Sequence, residues 1–218
     1  MSTPEARPIP TAPFTHSSKC EGTPSCARDR IFQAAKSLFY RYGIRGVSVE
    51  TIAAEADTTK VTLYRVFSSK EDLVVQVLED HIRRFWQWWD SVIAPFEGQP
   101  RKQIEVLIAS FEEGLCSDEA ERGCPVANTA VEIVEDDHPA KKIIHDHEAE
   151  ISRRLHALCR EMGARRPEQL GDALTLLISG VFAARLLSGN TQQIASASAA
   201  AQALLESPSL GIAPGTKA

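Results

Sequence analysis

No stretch of about 18 consecutive uncharged apolar residues occurs in this 218-residue chain, which argues against a membrane-spanning helix. The opening segment, MSTPEARPIPTAPFTHSS, has neither an apolar core nor a cleavage signature. No secretory leader is therefore expected, and the expected location is the cytoplasm. The five cysteines (Cys20, Cys26, Cys116, Cys124 and Cys159) are odd in number and form no C-x-x-C pair. That pattern argues against a disulfide framework and against a structural zinc site. G-x-S-x-G, a phosphate-cradling glycine loop and H-E-x-x-H are also missing. The chain is thus expected not to be an enzyme, and no catalytic residue or cofactor is assigned. In EDDHPAKKIIHDHE, His138, His145 and His147 do not share one helical face, so a solvated acid-rich helix is expected there rather than a metal site. No segment reads as a strand, and no internal repeat is found.

What is present is helical periodicity. Ile31, Ala34, Ala35, Leu38, Phe39 and Tyr42 recur at three- and four-residue steps and form one apolar stripe. Gly43 and Gly46 stop that helix, and Ser48 is placed to cap the next, whose buried face is Val49, Ile52, Ala53 and Ala56. A short helix follows through Phe67. Ser69 and Asp72 have capping-box spacing and open a long helix to about Ala94. Further helices are expected from Arg101, from Pro125, from Pro139 to near Met162, from Pro167 to about Gly189, and from Asn190 to Leu205. The expected class is all-α, with a flexible tail over 1–25, a DNA-binding domain over 26–72, an effector-binding and dimerisation domain over 73–206, and a second tail over 207–218.

Charge is unevenly divided. Between Arg28 and Lys70 eight basic residues face four acidic ones, whereas from Glu71 onward 14 basic residues face 23 acidic ones. A basic module ahead of an acidic body points to a polyanionic partner for the front part. That module also has the layout of a helix-turn-helix, with short helices at 48–56 and 59–67. On the second helix Leu63 and Phe67 are four apart and face inward. Thr59, Lys60, Thr62, Tyr64 and Arg65 are left outward, and Lys70 at the next helix start can reach a phosphate.

The segment IFQAAKSLFYRYGIRGVSVETIAAEADTTKVTLYRVFSSKEDL, residues 31–73, resembles the TetR family of bacterial transcriptional regulators. The resemblance rests on A-x-x-L-F…G, on T/S-V-x-x-I-A, and on T-L-Y-x-x-F-x-S-K-E-x-L. It implies a three-helix DNA-binding domain, a homodimer on a near-palindromic double-stranded operator, repression, and release by a small molecule bound in a helical C-terminal body. It places Ser48 at a phosphate-touching cap, Thr59, Lys60, Thr62 and Tyr64 on the recognition helix, and Lys70 at a phosphate. Asp57 departs from a common turn glycine, Val61 from a small residue, and Val66 from an aromatic or histidine.

In the body, Ile82, Trp86, Trp89 and Ile93 share a face with Phe85 beside it. Trp86 and Trp89, with Phe111 on the next helix, are candidates to line a cavity for an apolar or aromatic effector; the other reading of the stripe is plain core. GCPVANTAVEI, residues 123–133, resembles a segment of some TetR-like regulators at the start of a pocket-side helix. Asn128 and Glu132 either lend polarity to a ligand cavity or bond neighbouring helices. Cys124, at a helix start, suggests thiol sensing with Cys116 as resolving partner; a buried, inert thiol is the other reading. Arg185 interrupts an apolar helix and requires a partner, either an acid across a dimer interface or an anionic effector. The helices 174–187 and 191–205 are the candidate dimer face. Two other functions fit the same sequence: a thiol-based sensor, and a helical scaffold whose helix-turn-helix no longer reads DNA.

Overall fold

The computed structural model describes residues 27–117, 120–189 and 191–211. The expected tail over 1–25 with Cys20, and also Cys26, Asn190 and residues 212–218 of the second tail, lie outside the described residues. Ten α-helices and no strand occur among them: α1 (Ala27–Tyr42), α2 (Val49–Glu55), α3 (Lys60–Val66), α4 (Lys70–Ile93), α5 (Pro100–Leu115), α6 (Pro125–Glu132), α7 (Pro139–Glu161), α8 (Pro167–Ser188), α9 (Thr191–Ile194) and α10 (Ala197–Leu205).

Local chemistry sets most boundaries. Four helices open on a proline (Pro100, Pro125, Pro139 and Pro167), where the missing N–H would have had no helical partner and the fixed φ is already right. Ser48 and Thr59 cap α2 and α3 by accepting from the N–H groups of Thr51 and Thr62. Ser69 Oγ accepts from Asp72 N–H at 3.0 Å, but the returning carboxylate bond goes to Ser68 N–H, one residue earlier than a capping box requires. His138 Nδ1 accepts from Ala140 N–H at 3.1 Å and so caps α7. The expected helix over 191–205 is two: Ser196 N–H turns back to Gln193 and its hydroxyl bonds Gln192 O, which breaks the run.

The chain forms two compact units, whose boundaries fall inside α4, between Glu121 and Arg122, and inside α7. One contains α1–α3, α4 as far as Arg84, and Arg122–Glu150. Its core is Ile31, Ala35, Ile52, Leu63, Phe67 and Leu73, joined by Val126, Ile133 and Ala140. Tyr42 is not in it; it is 60% exposed, because α1 ends there and Gly43 turns away at φ +79°. The other unit contains Phe85–Glu121 and the chain from Ile151 onward. There Phe85, Trp88, Trp89 and Phe111 pack with Leu155, Leu174 and Ile178, and α5, α8 and α10 lie against one another. By length and composition α8 is apolar enough to cross a membrane. It carries Glu168, Asp172 and Arg185, and its outward side exposes Leu176 at 72% and Leu187 at 83%.

Candidate nucleic-acid interface

The short helix α3 is fixed from beneath and free above. Leu63 and Phe67 are 0% and 1% exposed, and burying two such side chains contributes about 3–6 kcal/mol together. The turn before it passes through Asp57 at φ +47°, one of the few non-glycine types that tolerate this conformation, and Arg30 holds the turn by donating to Ala56 O and Asp57 O. With that anchoring, Lys60, Tyr64 and Arg65 are exposed on the outer face, with Thr59 beside them at the cap.

Their polar groups are already ordered. Lys60 Nζ lies 2.6 Å from Glu50 Oε1 on α2 and 5.9 Å from the Tyr64 ring centre, so one cation bridges both helices and the ring. Thr59 and Thr62 hydroxyls share a hydrogen bond of 3.0 Å, and Ser48 and Thr51 one of 2.9 Å. Each pair keeps lone pairs or a proton for an incoming phosphate or base edge. Lys70 donates to Ile44 O at 2.6 Å, and burial lowers its pKa. Two of its three protons remain for a phosphate. Two residues escaped sequence reasoning. Val61 is 79% exposed on the same face, an apolar group of the kind that meets a thymine methyl, and Glu50 positions Lys60. The first was visible only as a departure from a pattern; the second depends on the crossing of two helices.

The back of this module is bolted to the 122–132 segment. Arg122 donates through its guanidinium to Arg41 O at 2.7 Å and through its backbone to Tyr40 Oη at 3.1 Å. Asn128 Nδ2 holds Arg122 O at 2.8 Å. Glu132 accepts from Arg45 N–H at 2.9 Å, over Gly43, where a Cβ would stand 2.8 Å from its carboxylate. Asn128 therefore braces the loop ahead of its own helix, and with Glu132 it also lines a cavity against α1 and α4.

The remaining candidates fall in different places. Trp89 and Phe111 are 0% and 2% exposed and packed edge to face with centres 6.4 Å apart, so they are core; Trp86 is half-buried, with Arg154 4.2 Å above its ring. Trp88, which the stripe did not single out, is buried at 4.8 Å from Phe111. Among the described residues, buried Trp89 Nε1 and Ser110 Oγ have no hydrogen-bond partner. Arg185 donates to Ser117 O at 3.1 Å and Ala120 O at 3.4 Å, closing the loop after α5. Cys124 is half-buried and accepts from Ala127 N–H at 3.5 Å. Burial pushes its thiol up to about 11, and the N–H groups of Ala127 and Val126, which pull the other way, do not prevail. The thiolate needed for a reactive sensor is thus disfavoured. His147, expected on a solvated face, is instead 5% exposed, and burial pushes its pKa down to about 4.

Residues 31–77 match the family described as bacterial regulatory proteins, tetR family. The chain is 33% identical over 93 residues to the HTH-type transcriptional repressor KstR2 of Mycolicibacterium smegmatis, a stretch covering 41% of this chain and 43% of that one. Over 89% of its length it superposes on 97% of SCO4454, a TetR-family transcriptional regulator from Streptomyces coelicolor, with a TM-score of 0.74 and 24% identity. It also superposes on a cysteine mutant of the TetR family regulator CifR complexed with 26-base-pair double-strand operator DNA (TM-score 0.71, 19% identity, 83% of this chain and 97% of that one).

Proposed function

The chain belongs to the tetR family of bacterial regulatory proteins and is a DNA-binding transcriptional regulator; on that premise we propose that it is a cytoplasmic repressor. In this reading a homodimer holds a near-palindromic operator and leaves it when a small-molecule effector binds. The observation that carries it is the outer face of α3, where Lys60, Tyr64, Arg65 and Val61 stand exposed on a helix anchored by Leu63 and Phe67. Thr59 and Thr62 add hydroxyls, and Ser48 and Lys70 meet flanking phosphates. Two-fold symmetry gives one such face per half-site.

Dimerisation through α8 is supported by its outward stripe. Leu176, Gly180, Ala183 and Leu187 recur at three- and four-residue steps, all exposed, with small residues between two leucines that let a second helix approach closely. An effector contact in the same unit as α8 is supported by the unpartnered Trp89 Nε1 and Ser110 Oγ, since a buried polar group without a partner is destabilising.

The test is fluorescence anisotropy of labelled DNA from upstream of the protein's own gene, titrated with protein at several salt concentrations. Saturable binding at least ~1,000-fold tighter than to random DNA, with affinity falling steeply as salt rises, is the expected result. A Lys60→Ala, Tyr64→Ala protein is expected to keep its melting temperature and lose that preference. Sequence-blind binding to selected genomic fragments as well would leave only the scaffold reading.

A further inference from the structure

Three helical faces with the same three- and four-residue spacing, on α1, α4 and α6, meet around a cavity of about 530 Å³ with its open mouth included. All three belong to the unit that carries α3. Phe39, Val74 and Leu78 give the cavity apolar walls, and Asn128 and Thr129 on α6 add polar groups to it. One end holds Lys36 and His81, both on its wall. Lys36 Nζ is 3.1 Å from Asp80 Oδ2, and the two side chains are 13% and 10% exposed. Asp80 also receives Arg83 and, at 2.9 Å, Arg84, so one carboxylate faces three cations. Glu132 marks the other end, committed to Arg45 N–H beside Ile44.

We propose that this cavity binds a small monocarboxylic acid with a short apolar body, its carboxylate on Lys36 and its tail along Phe39, Val74 and Leu78. The cluster at Lys36 has two positive charges beyond what Asp80 neutralises, and Lys36 is the cation of that cluster turned to the cavity. A ligand carboxylate gives its ammonium a second acceptor, while Asp80 retains Arg83 and Arg84. Burial, and then the charge of Arg84, hold the Lys36 pKa below the usual lysine range, which an added anion relieves. Glu132 at the far end repels a second carboxylate, so a monoacid fits and a diacid does not.

The position gives the ligand leverage. A molecule seated between α1 and α6 presses on Arg122–Arg41, Arg122–Tyr40 and Glu132–Arg45, the bonds that fix the end of α1 and the loop leading to Ser48. This consequence for DNA rests on the regulator reading; the binding does not.

The test is calorimetric titration of the full-length protein with hexanoate and with phenylacetate, each against its uncharged amide, hexanamide or phenylacetamide. The acids are expected to bind about tenfold or more tightly than the amides. Lys36→Met, which keeps the stem and leaves Asp80 two arginines, is expected to abolish that difference without altering amide binding. Val77→Phe, which fills the cavity from α4, is expected to abolish both. Equal affinity for acids and amides, or no binding by a normally melting wild-type protein, overturns the proposal, and neither result depends on a variant folding. Operator anisotropy on the same samples separates the two readings. Specific DNA binding without acid binding sinks this inference alone, and acid binding without specific DNA binding sinks the regulator reading alone.

Discussion

Lys60 and Glu50 join the two helices of the helix-turn-helix through a 2.6 Å contact, so a DNA-facing cation is held by an acid of its own module. Both side chains are more than half exposed. Their partnership is therefore one that solvent, salt or a phosphate can replace.

Glu50→Gln removes that acid and leaves Lys60 to the nucleic acid. Tighter operator binding is expected, with a log affinity against log salt slope steeper by up to about one, and an unchanged melting temperature. A slope and affinity identical to wild type would show that Lys60 does not move to a phosphate when DNA binds.

Gly43→Ala meets two obstacles at once. The residue sits at φ +79°, and its new Cβ would lie 2.8 Å from the Glu132 carboxylate. A loss of about 1–3 kcal/mol in urea unfolding is expected, accompanied by weaker DNA binding because the α1–α2 loop is displaced. Gly98→Ala, at φ +72° with open space around it, shares the backbone strain without the clash and should leave DNA binding untouched.

Burial holds His147 neutral, with a pKa pushed down to about 4 in the folded chain against 6.5 for the free side chain. The unfolded chain binds the extra proton between these values. Its contribution is therefore complete above about pH 6.5 and is lost as pH falls through about 4, roughly 3 kcal/mol in all. His147→Leu should flatten the dependence of the urea midpoint on pH across this window. A slope equal to wild type would mean that other groups govern acid lability.

With its thiol raised to about 11, Cys124 should react with iodoacetamide at neutral pH more than tenfold slower than a free cysteine. Cys124→Ser should bind operator as wild type does, before and after peroxide treatment. Rapid alkylation of Cys124 in the folded protein would revive the thiol-sensor reading.

What could be seen in the sequence was local. Ser48 and Thr59 cap helices three residues away, prolines mark four helix starts, and Leu63 and Phe67 face inward because they are one turn apart. The same reading did not reach contacts that lie far along the chain. Arg185 finds carbonyls 65 and 68 residues earlier, and Glu132 finds the N–H of Arg45, 87 residues before it. Nothing in EDDHPAKKIIHDHE distinguishes His147, which is buried, from His145, which is exposed. For the tryptophans the error was one of angle. The face that turns inward runs through Phe85, Trp88, Trp89 and Val92, displaced around α4 from the stripe through Trp86, and period alone does not tell which edge of a wide apolar sector meets the core.

The prolines that open α5, α6, α7 and α8 have one more consequence. A helix begun by proline cannot grow backward by a turn, because the next residue upstream is pushed out of helical geometry. These four helices have fixed starting points, so none can trade residues with the loop before it. At these four ends a displacement moves the rod as a whole instead of adding a turn to it.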